Sequence, residues 1–188
     1  MSQPTALFET SPYLRRYSDL TGDQLASIDD FLQQQLSSNS QDLHQTHYFH
    51  GRYENIYINR NSHPELKSLV SEAHRIASEL LNINPAELSI GFWFNYMPPG
   101  HVTTLHTHND IDELLSGVIY ITVPEYSGNL VLKTQDEDIA LKPVQGNYVF
   151  FDPATPHAVT INESKDSRLS IGMNFGLSKN KADYFSKF

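Results

Sequence analysis

From Leu88 to the C-terminus, apolar residues come only in short runs or alternate with polar ones. That pattern is too short-ranged for helices and fits strands, predicted at residues 90–96, 103–108, 117–123, 129–133, 148–151, 158–161 and 169–175. Turn signals separate them: Pro98-Pro99-Gly100, Tyr126-Ser127-Gly128, Gln145-Gly146-Asn147 and Asn162-Glu163-Ser164. Many short strands punctuated this way close into a sandwich or barrel. The 188 residues suit one domain, and the chain carries no internal repeat or low-complexity block.

The first half reads differently. Thr21 or Asp23 can cap a helix running to about Leu36, with Leu25, Ile28, Phe31, Leu32 and Leu36 on one stripe. Pro64 suits the first turn of a second helix, where Leu66, Leu69, Val70, Ala73, Ile76, Ala77, Leu80 and Leu81 repeat at helical spacing. Both helices precede almost all the strand signals and are expected to buttress one face of a sheet. Residues 1–20 read as an entry segment, and residues 44–57 as irregular structure leading into a short strand at 54–58. The expected division is a helical and irregular buttress over 1–86, a β core over 87–178 and a polar tail over 179–188.

Within the β half, residues 96–120 concentrate the chemistry. The Pro-Pro-Gly turn leads into an extended run ending His106-Thr107-His108. Residues two apart on a strand share a face, roughly 7 Å apart, so two imidazoles can grip one metal ion. His108 and Asp110 form a second, overlapping pair. Downstream, His157 follows the apolar run 148–151, and Arg168 opens the last strand with Ser170 on the same face. Three facial ligands and a later arginine outline a non-haem iron(II) site. Cysteine is absent, so His, Asp and Glu are the ligands at hand. The net charge of −9 argues against a general binder of nucleic-acid backbone. No apolar run approaches ~20 residues and no basic-then-apolar leader is seen, so a cytoplasmic protein without a membrane span is expected.

In order, these pieces resemble the 2-oxoglutarate- and iron(II)-dependent dioxygenase superfamily, nearest its uncharacterised bacterial and phage branch and its prolyl-hydroxylase-like group. The residues carrying the resemblance span roughly the last hundred positions. They are Trp93-x-Asn95-x4-Gly100, His106-x-His108, Ser116-Gly117-Val118-Ile119-Tyr120, Pro124-x2-Ser127-Gly128-x-Leu130, Pro143-x2-Gly146, Phe151-x5-His157 and Arg168-x-Ser170-Ile171-x2-Asn174-Phe175. The resemblance implies a mainly β fold with N-terminal helices: a double-stranded β-helix, the jelly-roll or cupin-like barrel, with iron at its mouth. It implies Fe(II) as cofactor and 2-oxoglutarate as cosubstrate, with dioxygen and an unknown substrate as partners. Family spacing from Gly100 places the ligands on His106, His108 and His157, although the usual motif has aspartate where His108 stands; His108 with Asp110 is the alternative. The resemblance assigns Arg168, with Ser170, Tyr120 and Tyr96, to the far carboxylate of 2-oxoglutarate.

Two other readings remain open at this point. One is a cupin-like metal enzyme that uses three histidines without a keto acid. The other is a non-catalytic jelly-roll binding module. His44, His47, His50, His63, His74 and His101 form no comparable set and read as surface or pocket-rim residues. Trp93, Phe92, Phe94, Phe150 and Phe151 read as core. A two-fold homodimer is the base-rate expectation for assembly.

Overall fold

A computed structural model describes residues 7–49, 51–108 and 112–178. In chain order it contains β1 (Tyr13–Tyr17), α1 (Gly22–Ser37), β2 (His44–Phe49), β3 (Arg52–Tyr57), α2 (Pro64–Leu81), β4 (Leu88–Met97), β5 (Thr103–His106) and β6 (Glu113–Thr122). There follow β7 (Leu130–Lys133), β8 (Asp138–Leu141), β9 (Asn147–Phe151), β10 (His157–Val159) and β11 (Arg168–Leu177). The strands form a seven-stranded sheet in the order β1-β9-β6-β11-β4-β3-β2 and a four-stranded sheet in the order β5-β10-β7-β8. All pairings are antiparallel, and the fold is a double-stranded β-helix.

Strand alternation decides what each face of the large sheet does. On β11, Leu169, Ile171, Met173 and Phe175 are fully buried against the helices. Their alternates Arg168, Ser170, Gly172 and Asn174 line a cavity between the sheets. The helical side is dry: Leu25, Ile28 and Leu32 of α1 and Leu66, Leu69, Val70, Ala73, Ile76 and Ala77 of α2 join Phe94, Ile119, Ile121 and Phe150 in one cluster. Each large aliphatic or aromatic side chain buried there contributes about 1.5–3 kcal/mol, so this layer is the main source of stability. Thr21 caps α1 through a capping box with Gln24, and Asn82 ends α2 in the left-handed conformation at φ 51°.

One buried carboxylate locks the buttress to the sheet. Glu72 of α2 accepts from Ser18 Oγ (2.6 Å), the Asp19 amide (2.6 Å) and the Tyr148 hydroxyl (2.8 Å). It thereby joins the β1–α1 corner and β9 to α2. Burial, reinforced by Glu72, pushes the Tyr148 hydroxyl well above its ordinary range, so it remains a donor.

The first half of the chain departs from its sequence reading. Residues 13–17, expected as part of an entry segment, form β1 on β9. The strand expected at 54–58 is β3, and residues 44–49, expected as irregular, form β2 paired with it in a hairpin, with Gly51 at φ 82°. β8 was not anticipated at all, and β5 stops at His106. The N-terminal portion thus supplies three strands to the large sheet as well as two helices. The predicted tail at 179–188 lies outside the described residues. No helix among the described residues is long and apolar enough to cross a membrane.

Candidate metal and cosubstrate site

The small sheet presents the imidazoles. His106 of β5 stands opposite His157 of β10 in register. His108 lies just past the end of β5, where its amide donates to Pro153 O at 2.9 Å. The ring centroids are 4.3 Å (106–157), 4.9 Å (106–108) and 5.0 Å (108–157) apart. One nitrogen from each ring can be chosen so that all three lie within 4.8 Å of one another. Asp110, the alternative ligand, and His50 lie outside the described residues. Among the described residues, the remaining histidines join no such cluster.

Local bonds aim the rings. His106 Nδ1 meets Thr104 O at 2.7 Å, and His157 Nδ1 meets Thr155 O at 2.9 Å. A carbonyl oxygen only accepts, so Nδ1 carries a proton in both rings, and in the neutral form Nε2 is the nitrogen left for a ligand. The turn before His157 is fixed by Asp152, whose Oδ1 accepts from Ala154 N at 2.8 Å and whose carbonyl accepts from Thr155 N at 2.9 Å. Burial, aided by the adjacent imidazoles, lowers His108 to about 3. Burial and His106 lower His157 to about 4, against the opposing bond to Thr155 O. Both rings are therefore neutral at pH 7, the form that binds metal.

The facing sheet presents the cation. Arg168, at the start of β11, is 2% exposed. Its Nη1 donates to Ser127 O (3.3 Å) and Gly128 O (3.1 Å). Gly128 sits at φ 87°, where an added Cβ would come within 2.3 Å of Thr160 O, so only glycine suits this turn. The Tyr120 ring lies 5.8 Å from the guanidinium carbon, on β6 opposite Ser170. Among the described residues, no carboxylate forms an ion pair with Arg168. Three buried polar atoms here lack a partner: Arg168 Nε, Tyr120 Oη and Ser127 Oγ. Native proteins rarely leave such groups unpaired, because each costs about 1–3 kcal/mol.

The cavity between the two walls has a volume of about 410 Å³. His106, His108 and His157 line it from one side, and Arg168, Ser170 and Tyr120 from the other. Tyr96 does not join them. On β4 the alternation sends Trp93 and Asn95 to the cavity, while Tyr96 packs with Phe92 and Phe94 on the helix side. Trp93 is likewise a correction, since it was expected in the core. Its indole lies 5.5 Å from the His108 ring and covers Gly172, its partner in register on β11. Phe94, Phe150 and Phe151 are buried as expected, Phe151 against the His157 ring at 4.7 Å. Sequence reasoning quoted Asn174 within the resemblance but gave it no role, and it accepts from Ser116 Oγ at 2.8 Å; Arg52, described below, was passed over.

A double-stranded β-helix with an imidazole cluster on one wall and a buried guanidinium on the other is the arrangement to compare with known proteins. No protein-family model matches the sequence, and no curated protein matches it. Solved structures do share the fold. A prolyl-4-hydroxylase from Pseudomonas putida aligns with a TM-score of 0.73 at 17% identity, covering 92% of this chain and 98% of that one. The viral collagen prolyl hydroxylase of Paramecium Bursaria Chlorella virus-1, solved as its 2OG complex, aligns at 0.62 and 16%, covering 89% and 97%. The epimerase SnoN, in complex with Fe3+ and alpha ketoglutarate, aligns at 0.68 and 13%, covering 93% and 84%. At these identities the likeness is one of fold.

Proposed function

We propose that the chain is an iron(II)- and 2-oxoglutarate-dependent dioxygenase, acting as a hydroxylase on a substrate still to be identified. The observation that carries this reading is the pairing of opposite walls: three ligand nitrogens within 4.8 Å of one another face a buried arginine that lacks a carboxylate. The fold it shares with 2-oxoglutarate oxygenase structures supports it.

The donor set fits iron. His106, His108 and His157 would each offer one imidazole nitrogen from the wall that lines the cavity. The large sheet fits the cosubstrate. A dicarboxylate needs a fixed cation for the end that does not meet the metal, because an unpaired buried charge costs several kcal/mol. Arg168 supplies that charge, and the unpartnered Nε, Tyr120 Oη and Ser127 Oγ supply donors. Ser170 stands opposite Tyr120 in register, where its hydroxyl can join them. When bound, iron(II) and 2-oxoglutarate together activate dioxygen for substrate oxidation, releasing succinate and carbon dioxide. The chain's own part is to hold ligands neutral, orient the keto acid and keep water from the deep end of the cavity. Three imidazoles leave the site one negative charge short of the two-histidine, one-carboxylate set, which alters its redox tuning.

The test is anaerobic. Adding 2-oxoglutarate to the iron(II)-loaded protein should give a metal-to-ligand charge-transfer absorbance, and admitting oxygen should give succinate. Oxygen uptake without succinate, together with no such absorbance, would move the reading to a three-histidine enzyme that uses no keto acid. Failure to bind iron(II) or any other transition metal would leave a binding module.

A further inference from the structure

The strand that carries His106 is the least secured element of the site. β5 is an edge strand of four residues, paired only with β10 through His106↔His157 and Thr103↔Val159, with a register shift between the two pairs. The Pro98-Pro99-Gly100 turn joins it to β4. Asn162 holds that turn from one side: its Nδ2 donates to Met97 O (2.9 Å), its carbonyl accepts from the Gly100 amide (2.7 Å) and its amide donates to His101 O (2.9 Å). None of these bonds reaches β5 itself.

Arg52 does. It opens β3, is 8% exposed and sends one terminal nitrogen to each side of the turn. Nη1 donates to Tyr96 O on β4 at 3.2 Å, and Nη2 donates to Val102 O, just before β5, at 3.0 Å. Longer contacts surround this pair: Nη1 to Asn95 Oδ1 (3.5 Å), and Nη2 to Thr103 Oγ1 (3.4 Å) and Glu54 Oε1 (3.3 Å). Asn95 Nδ2 closes the figure onto Thr103 Oγ1 at 3.4 Å. One planar guanidinium thus spans three segments, and its fork fits two carbonyls lying in different directions. An ammonium, a point charge on a flexible stem, cannot hold both in fixed geometry.

We infer that Arg52 is a positioning residue for the metal centre: by fastening the head of β5 to β4 and β3, it sets where His106 stands relative to His108 and His157. This rests on the reading of the three histidines as metal ligands. Arg52 touches none of those rings among its recorded bonds, so its effect on the metal passes through the backbone between Val102 and His106.

Cobalt(II) is the probe, because its visible absorption reports ligand geometry as well as occupancy. Wild type, Arg52→Lys, Thr103→Val and the double variant would be titrated with cobalt(II), and the apo proteins melted alongside. Arg52→Lys is expected to keep its fold, weaken cobalt(II) by roughly ten- to a hundredfold and shift its visible bands, as loss of outer-shell support does at metal sites. Thr103→Val should produce a smaller change of the same kind, and the double variant should be no worse than Arg52→Lys alone. A merely structural role would lower the melting temperature while leaving affinity and bands at wild-type values, and that result would overturn the inference. Strictly additive losses in the double variant would overturn it too, by showing that the two residues act separately. Should Arg52→Lys fail to fold, unchanged affinity and bands in Thr103→Val alone would decide against it. A wild type that binds no metal would instead sink the metal reading, a distinct outcome.

Discussion

β11 and β10 face each other across the cavity and are built to different standards. β11 runs ten residues and pairs along almost its full length with both β4 and β6. β10 has three residues, pairs over all of them with β7 and meets β5 through only two. Behind β11 lie two helices and the main apolar cluster; β7 and β8 contribute only a small second cluster around Leu130, Leu132 and Leu141. The difference matches what each wall must hold. A buried guanidinium is tolerable only if it is held in place: the thick wall fixes the root of Arg168, and the carbonyls of Ser127 and Gly128, in the turn before β7, hold its head. The proposed metal ligands can sit on a thinner wall, because turns and bonds from Thr104, Thr155, Asp152 and Arg52 aim them and a bound ion would complete the set.

The sharpest way to break this comparison is to remove ligands from the thin wall. His106→Ala, His108→Ala and His157→Ala are each expected to abolish stoichiometric iron(II) binding, with the apo proteins still folded because the helix-backed core is untouched. Anaerobic titration with melting curves checks both halves. Asp110→Ala should retain iron; loss in that variant alone would transfer the carboxylate role to Asp110 and end the three-histidine assignment.

Next in size is the thick wall. Arg168→Ala should keep iron and lose 2-oxoglutarate, at a cost of roughly 3–5 kcal/mol, or a hundredfold or more in affinity. Arg168→Lys should recover part of it, because charge returns without the fork. Charge-transfer absorbance at graded 2-oxoglutarate reads this directly. Equal absorbance in wild type and Arg168→Ala would mean that the cosubstrate is anchored elsewhere.

The two walls also differ in how legible they were in the sequence. β4, β6, β9 and β11 announced themselves, because buried strands carry apolar residues at regular positions, and their turns carry Pro, Gly and Asn. The strands that escaped notice, β1, β2 and β8, are all sheet edges. Edge strands need little apolar patterning: Arg16 and Tyr17 of β1 are exposed, and β8 buries only Leu141. Within the site, the histidines and Arg168 were legible from spacing and resemblance together. Tyr96 and Trp93 were misplaced for a reason available in advance. Period two puts Trp93 and Asn95 on one face and Phe92, Phe94 and Tyr96 on the other, and the apolar character of Trp93 hid that its face was the cavity. Arg52 had no such signal, since its partners are mainly backbone carbonyls that the fold alone brings to it.

Protonation sharpens the comparison further. With the ordinary imidazole pKa near ~6.5, iron affinity would be expected to fall steeply around that value. Burial moves the competing protons of His108 and His157 down to about 3 and 4. The same depression appears in the stability of the apo protein. Below ~6.5 the unfolded chain takes up a proton on His157, while the folded chain declines it until about 4. Stability from this group is therefore complete above ~6.5, lost progressively as pH falls toward 4 and flat below. At about 1.4 kcal/mol per pKa unit, the loss is at most about 3 kcal/mol. Urea unfolding of apo wild type and His157→Asn between pH 7 and pH 4 isolates it from the carboxylates. The wild type should lose more stability over that interval, and parallel curves would show that the thin wall does not bury this ring.

The smallest expected effect tests whether the thick wall is rigid at its centre. Gly172 lies in register between Trp93 on β4 and Val118 on β6. A Cβ built on it would come within 2.6 Å of Trp93 Cε2 and Cζ2 and 2.9 Å of Nε1. Backbone on either side is held by full ladders, so in Gly172→Ala the indole has to swing outward into the cavity, toward His108. Overpacking of this kind costs about 1–3 kcal/mol, and the lower end is expected because the indole is only half-buried and can yield. Trp93 is the sole tryptophan of the chain, so its emission reports the movement without interference. Gly172→Ala should shift or quench that emission and lower stability by about 1 kcal/mol while keeping iron binding. Lowered stability with unchanged emission would mean that β11 gives way before the indole does, and the large sheet would then be no stiffer at this point than the small one.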